Sequence, residues 1–372
     1  MHIKLRLGLT QCENNGEMTE EGTDGHLSVV MTTDPVADVT QTKATDVVPS
    51  SSYGIEFYFQ CAVIIVGVIG TAANGLILFA MIVSKQHKKQ MLIFSQNVFD
   101  LFSSFFLIVT YALKLGNFYL SGVTGYWFCM LLLSENLVWI PIMASKANLI
   151  FITFERYLKA VYPVWSKKLL RNWTLYGAIA FALGSGIVHP FAITFTTSAV
   201  IDGVCHAYVV WQSRMSQVAY GIFYFVGFYF VFLAIFVFCY GRIVIVLRRQ
   251  AKVMASHSTA GPSTTNTLSK QMQTNVIKTM IFVSAFYAIS DMPMQVYYLL
   301  LNINANLTLL ESGYYSSIFI SFVYFCANPF IYAAKFEPVK RVLLRLIPCV
   351  ASPVQPVSTI EATTTRYPHT VK

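Results

Sequence analysis

The stretch FYFQCAVIIVGVIGTAANGLILFAMIVS, residues 57–84, decides the fold. It places 28 residues without a charge between Glu56 and Lys85. About 20 predominantly apolar residues carry a helix across the hydrocarbon core of a bilayer. The segment has to be helical there, because lipid offers no partner to a free backbone N–H or C=O. The pattern recurs along the chain. Thirty uncharged residues separate Arg171 from Asp202, 27 separate Arg214 from Arg242, and 23 separate Glu311 from Lys335. Three more apolar stretches carry isolated charges: 91–113 (Asp100), 128–154 (Glu135, Lys146) and 273–301 (Lys278, Asp291). A single run of this kind reads as well as a buried core helix; seven in one chain do not.

Composition points the same way. Of 372 residues, 55% are AVILMFWYC and 12% are charged. A soluble domain carries roughly 25% charged residues to cover its surface. A disordered chain or a coiled coil is still richer in charge. The expected fold class is therefore an all-α membrane protein, a seven-transmembrane helix bundle with a short amphipathic cytoplasmic helix after the last span.

The net charge of +9 is sorted by side. With the N-terminus outside, the inner segments 83–91, 156–171, 242–278 and 335–372 hold 20 of the 26 Lys and Arg residues. The outer segments hold five: Lys4, Arg6, Lys43, Lys114 and Arg214. Positive charge collects on the cytoplasmic side. This places the N-terminus outside and the C-terminus in the cytoplasm of a multi-pass plasma-membrane protein, and it leaves no signal for nucleic acid.

The expected organisation is an acidic, disordered extracellular tail (1–56), the spanning domain (57–336), a juxtamembrane amphipathic helix (337–349) and a flexible cytoplasmic tail (350–372). The apolar run in Met1–Leu9, interrupted by Lys4 and Arg6, is too short for a cleaved signal peptide, so the first span directs insertion. Segments 250–272 and 350–372 are rich in Ser and Thr and offer phosphate acceptors. Cys61, Cys239 and Cys326 fall within spans and read as small packing residues. Cys12 lies in the tail. Cys129 and Cys205 both face the oxidising side, where a disulfide can form. Cys349, after a basic amphipathic stretch, is a candidate for palmitoylation. Asn306-Leu-Thr308 is an outer sequon, and Asn172-Trp-Thr174 faces the cytoplasm.

Within this frame several local patterns occur in order. Gly70-Thr-Ala-Ala-Asn74 lies in span one and Asn97-Val-Phe-Asp100 in span two. Glu155-Arg156-Tyr157, followed by Pro163, closes span three. Tyr240 stands near the inner end of span five, Pro293 lies in span six, and Asn328-Pro329-Phe-Ile-Tyr332 ends span seven. Over about 57–349 the chain resembles the rhodopsin-like (class A) family of G-protein-coupled receptors. The resemblance implies a receptor, not an enzyme, whose partners are an extracellular ligand, a heterotrimeric G protein, membrane lipid, and arrestin after phosphorylation of the tail. It implies a polar core of Asn74, Asp100, Ser145 and Asn328 that holds a sodium ion, and a Cys129–Cys205 disulfide. It implies a cytoplasmic switch in which Arg156 leaves its resting partner Glu155 to meet the G protein, while Tyr240 and Tyr332 move toward it.

Read as chemistry alone, Asp100 is a carboxylate at mid-membrane depth, where ionisable groups are costly and usually functional. Pro293 and Pro329 lack an N–H and give their helices places to bend. Asp202-Gly203 between β-rich flanks predicts a two-residue hairpin; such hairpins are typical of the family's peptide receptors, so a peptide ligand is favoured. Glu135, Asn136, Val138 and Tyr298 are the candidate pocket residues. Phe322 stands where opsins carry the retinal lysine, so no retinal is expected. Val138, or Asn136 when counted from Cys129, stands where amine receptors carry an aspartate, which argues against a classical amine receptor.

The chain also departs from the family. Asp291 replaces the usual tryptophan two residues before Pro293, Tyr287 the usual phenylalanine, and Phe232 a common proline. Span four has no tryptophan near Ala180; its only one, Trp173, sits at the inner end. Cys129 precedes Arg156 by 27 residues, two more than usual, so the outer part of span three is expected to bulge or shift register. Lys146 is required by no family motif. A lone ammonium at that depth costs at least ~2.5–3.5 kcal/mol, which calls for a partner. Asp291 leads by the family's packing, Asp100 is the alternative, and a water-filled cavity is the third reading. The competing function is a transporter or proton channel relaying through Asp100, Lys146 and Asp291, though no internal repeat accompanies them. An intramembrane hydrolase would need a paired-aspartate or HExxH motif, and no such motif occurs.

Overall fold

The computed structural model describes residues 54–116, 118–208, 210–256, 264–304, 311–335 and 337–346. The N-terminal tail, Cys12, the sequon at Asn306, Cys349, the tail 350–372 and the side chain of Tyr332 lie outside what is described.

The described chain is helical apart from one two-stranded hairpin. Helix α1 runs over Ile55–Val83 and α2 over Met91–Lys114. The third apolar stretch is broken into α3 (Gly122–Phe128), a π-helical turn (Cys129–Leu133) and α4 (Asn136–Val161). Short α5 (Pro163–Leu169) leads to α6 (Asn172–Thr197), followed by strands β1 (Ala199–Ile201) and β2 (Val204–His206). Next come α7 (Arg214–Phe225), a second π-turn (Val226–Phe230) and α8 (Val231–Ser256). Helices α9 (Thr264–Ile303), α10 (Glu311–Lys335) and α11 (Glu337–Leu346) complete the chain.

The break in the third stretch is where the two extra residues go. The Ser134 N–H donates to the Cys129 carbonyl five residues back at 2.8 Å, and Glu135 turns left-handed at φ 62° before α4 begins. A non-glycine residue in that region costs of order 1–3 kcal/mol and persists only where its surroundings enforce it. The inserted residues thus stay local, and α4 keeps an unbroken run down to Arg156.

Six helical runs are long and apolar enough to cross a membrane: Ile55–Val83, Met91–Lys114, Gly122–Val161, Asn172–Thr197, Arg214–Gln250 and Ser312–Ile331. Helix α9 matches them in length with 40 residues but carries Lys278 and Asp291. Together they form an all-α membrane helix bundle. Helix α4 is its centre, packed by α2, α6 and α8, while α1 lies on α2 and α10, and α10 on α9. Gly186 of α6 permits one of these close approaches: a Cβ there would fall 2.6 Å from the Ile140 carbonyl oxygen of α4.

The sidedness of burial is that of a lipid-solvated protein. Ile65, Phe79, Phe181, Val188, Val237 and Ile289 are exposed, while Asn74, Gln96, Asp100, Lys146, Asn148, Asp291, Gln295 and Asn328 are buried. Polar groups at membrane depth face the bundle interior, where they find one another. One apolar core runs from α1 to α11, whose Val339 is fully buried within it. The α11 residues Arg341 and Arg345 are exposed on the other side, the amphipathic pattern expected of the last helix.

Candidate functional site

The described polar groups form three layers along the bundle. At the outer end, β1 and β2 pair antiparallel, with Val200 opposite Cys205. Asp202 and Gly203 sit at φ 52° and 74°, the two left-handed residues of a tight hairpin turn. Gly203 is required twice over, since a Cβ would fall 2.2 Å from the Tyr119 ring. The Gly203 carbonyl accepts from the Leu120 N–H at 2.9 Å, so the hairpin tip leans on the loop between α2 and α3. A disulfide joins Cys205 to Cys129 with the Cα atoms 5.4 Å apart. The Tyr208 hydroxyl donates to the Ser134 carbonyl at 3.0 Å, fastening the return strand to the same broken turn. Burial pushes the Tyr208 phenol up, against the pull of the Thr194 hydroxyl, and keeps it a donor.

Below the hairpin, the strained Glu135 directs its carboxylate into a ring of donors. Tyr111 donates through its hydroxyl at 2.9 Å, Trp139 through its indole N–H at 3.1 Å, and Lys114 forms an ion pair. Tyr298 lies half-buried in an aromatic group, with Tyr224 5.2 Å and Tyr220 6.3 Å away between centroids. His189 packs between Tyr220, Tyr224 and Phe228. Asn136 and Val138, the other candidate pocket residues, are both fully buried, and the Asn136 side chain spans from the Met130 carbonyl to the Thr194 hydroxyl.

In the middle layer Lys146 meets Asp291. The ammonium donates to both carboxylate oxygens, at 2.9 and 3.0 Å, and the two side chains are 1% and 2% exposed. Gln295, one turn farther along α9, donates to Asp291 at 2.8 Å, and the Tyr287 ring lies 5.6 Å from the ammonium. Of the readings open for Lys146, the structure thus places it on Asp291. Its neighbour Ser145 points to a different acid, as consecutive helical residues do. The Ser145 hydroxyl donates to Asp100 Oδ1 at 2.6 Å and the Asn328 amide to Oδ2 at 2.9 Å. Gln96 donates to Ser145 and accepts from Asn148 at 2.9 Å. The side-chain carbonyl oxygens of Asn74 and Asn328 have no partner among the described residues. The Asp100 carboxylate, the Ser145 hydroxyl and the Asn328 side-chain oxygen meet as oxygen donors of the type that a hard cation takes.

At the inner end Arg156 and Glu155 stand 3.6 Å apart. Glu155 is engaged more closely by Lys159, whose ammonium lies 2.5 Å away. The Arg156 guanidinium also donates to the side-chain oxygen of Gln90, at 2.5 Å. Tyr240 bonds to neither: its hydroxyl pairs with Thr153 and accepts from Ser284, each at 3.1 Å. Tyr157 packs against Tyr162 and Phe238. The resting partner expected for Arg156 is thus in place at ion-pair distance on one carboxylate oxygen, while Lys159 shares the acid through the other.

Residues 73–332, more than half of the chain, match the family described as 7 transmembrane receptor (rhodopsin family). The chain belongs to that family. No curated protein matches it. In this receptor the disulfide ties strand β2 to the π-turn before α4, and the lysine of α4 pairs with the aspartate of α9. Sequence reasoning missed Gln96, Asn148 and Gln295, although each lies one turn from an acid or a bonded serine on the same helical face. It also missed Lys114 and Gln90, for which no helical spacing gives a sign.

Proposed function

We propose that the receptor crosses the plasma membrane seven times, with α9 as the sixth span, its N-terminus outside and α11 on the inner face. It binds an extracellular ligand, a peptide by preference, and activates heterotrimeric G proteins. Arrestin follows on phosphorylation of the Ser/Thr-rich inner segments, and a sodium ion held by Asp100, Ser145, Asn74 and Asn328 would favour the resting packing.

The observation that carries the ligand reading is the lean of the hairpin. Its tip is bound to Leu120 and seated on Tyr119, to the side of α2 and α3. A hairpin held at one side leaves the mouth to an extended chain, and Tyr298, Tyr220 and Trp211 give that chain aromatic surface. The Glu135 carboxylate already carries the chain's own Lys114, so a basic ligand group would enter by exchange with Lys114.

Helix α9 links the mouth to the middle layer. Tyr298 lies seven residues, two turns, beyond Asp291 on the same face. A ligand that moves the outer end of α9 shifts Asp291 against Lys146, and α4 carries Lys146 and Arg156 on one rigid rod. Agonist-stimulated nucleotide exchange, screened over peptide libraries and each G-protein class, tests the reading. Exchange driven by a peptide supports it. Exchange driven only by small amines refutes the ligand preference, and ligand-driven transport without exchange in any class refutes the receptor mechanism.

A further inference from the structure

Gln90 stands at the N-terminal cap of α2, a place where side chains usually satisfy the first free N–H groups of a helix. Its side chain makes no such bond. Instead its amide oxygen accepts from Arg156 across the inner end of the bundle. The arginine side chain is 9% exposed, and its Nε finds no partner among the described residues. The nearest carboxylate, Glu155, is shared: its Oε2 stands 3.6 Å from Arg156, while Lys159 holds its Oε1. Arg156 is thus held at rest by a neutral acceptor and by an acid that a third residue partly neutralises.

We propose that Gln90 is the positioning residue that holds Arg156 in its resting place, and that Lys159 sets the strength of the hold by occupying Glu155. The proposal rests on the G-protein reading above and concerns how the same inner site is regulated. Its logic is electrostatic. A hydrogen bond with an ionised partner is roughly twice as strong as one between neutral groups, so the Arg156–Gln90 bond is a strong one. While Lys159 stays on Glu155, the pull of the acid on Arg156 is divided. When Lys159 is removed, Glu155 turns wholly to Arg156 and the hold tightens. The two residues therefore act in opposite directions, and the wild-type receptor is poised with measurable activity in the absence of agonist. Simple support of the α2 terminus would produce no such opposition.

The test uses full-length receptor in lipid nanodiscs, with agonist-free nucleotide exchange as one readout. A fluorescent non-natural residue replacing the exposed Lys278 of α9 gives the second readout, which needs no G protein. Gln90→Ala should raise exchange about tenfold, the factor that 1.4 kcal/mol represents, and shift the fluorescence. Gln90→Glu, which gives Arg156 an ion, should lower both. Lys159→Met should lower both and, combined with Gln90→Ala, bring the signal back toward wild type. Equal loss of signal in Gln90→Ala and Gln90→Glu without rescue by Lys159→Met would mean that Gln90 only supports the helix, and would overturn the proposal. If the Gln90 variants do not fold, Lys159→Met alone decides: no change in fluorescence overturns the latch. A fluorescence response of the expected signs with no exchange in any G-protein class keeps the latch and rejects the coupling reading.

Discussion

Two lysine–carboxylate pairs lie in one bundle, and depth gives them different tasks. Lys114 and Glu135 meet near the outer rim, with side chains 27% and 15% exposed. Lys146 and Asp291 meet in the middle, with side chains 1% and 2% exposed. Glu135 has three donors from two helices and would keep two of them if Lys114 left. Asp291 has the ammonium on both oxygens and lies where no water replaces it. The outer pair is partly exposed, and in the proposed function it is the one a ligand group would exchange with. The inner pair is a fixture of the packing between α4 and α9, at the level where a tryptophan would otherwise stand. Asp100 supplies the contrast: a buried acid with no lysine partner among the described residues, held by a hydroxyl and an amide.

The sharpest way to break this contrast is to strand one charge of the inner pair. Removing one partner of a buried ion pair costs ~3–5 kcal/mol. Lys146→Met and Asp291→Asn should each collapse surface expression or lower the unfolding temperature of the purified receptor by many degrees. Ordinary stability in either would mean that water reaches the site. The bridge between Cys129 and Cys205 comes next. It closes a separation of 76 residues, and disulfides contribute ~2–4 kcal/mol. Cys205→Ser should reduce surface expression and free the hairpin from the π-turn, read as faster hydrogen exchange over 199–206. Asp100→Asn should affect stability less, but it should abolish any rise in unfolding temperature when sodium replaces a large organic cation; an equal response in wild type and variant would remove the sodium reading. The smallest effect belongs to the rim. Lys114→Ala should change stability by less than about 1 kcal/mol, because half-exposed pairs are screened by water. It should nevertheless strengthen binding of basic peptides, which a competition assay against neutral peptides would register.

The sequence carried the frame because the bilayer forces it. Apolar runs had to be helices, and the fold placed six of them plus α9 in the bundle. The hairpin was legible because Asp202-Gly203 is one of few pairs that accept two left-handed residues in sequence. The two-residue excess between Cys129 and Arg156 announced a bulge, and the structure localised it to the π-turn and Glu135. Its local bonding was not legible: Asn136, just after the turn, is buried and bonded to the Met130 carbonyl and the Thr194 hydroxyl. Contacts between helices were the harder class. Lys146 needed a partner by energy alone, and packing chose between two acids. Gln90 and Lys114 have ordinary solvent-side spacing, and only the approach of α4 to α2 shows what they hold. Glu155 was legible as a partner of Arg156 from adjacency, but the shares of Gln90 and Lys159 depend on rotamers that spacing does not specify.

The central claim is that Lys146 and Asp291 stabilise the bundle as a pair. A double-mutant cycle on unfolding in a defined lipid environment measures this most directly, using Lys146→Met, Asp291→Asn and the combination. Neighbours in one buried network show interaction energies of ~0.5–3 kcal/mol. The account predicts that the double variant is more stable than the sum of the two single losses by about 2 kcal/mol or more, at the upper part of that range. Strictly additive losses would contradict it and return Lys146 to Asp100 or to water.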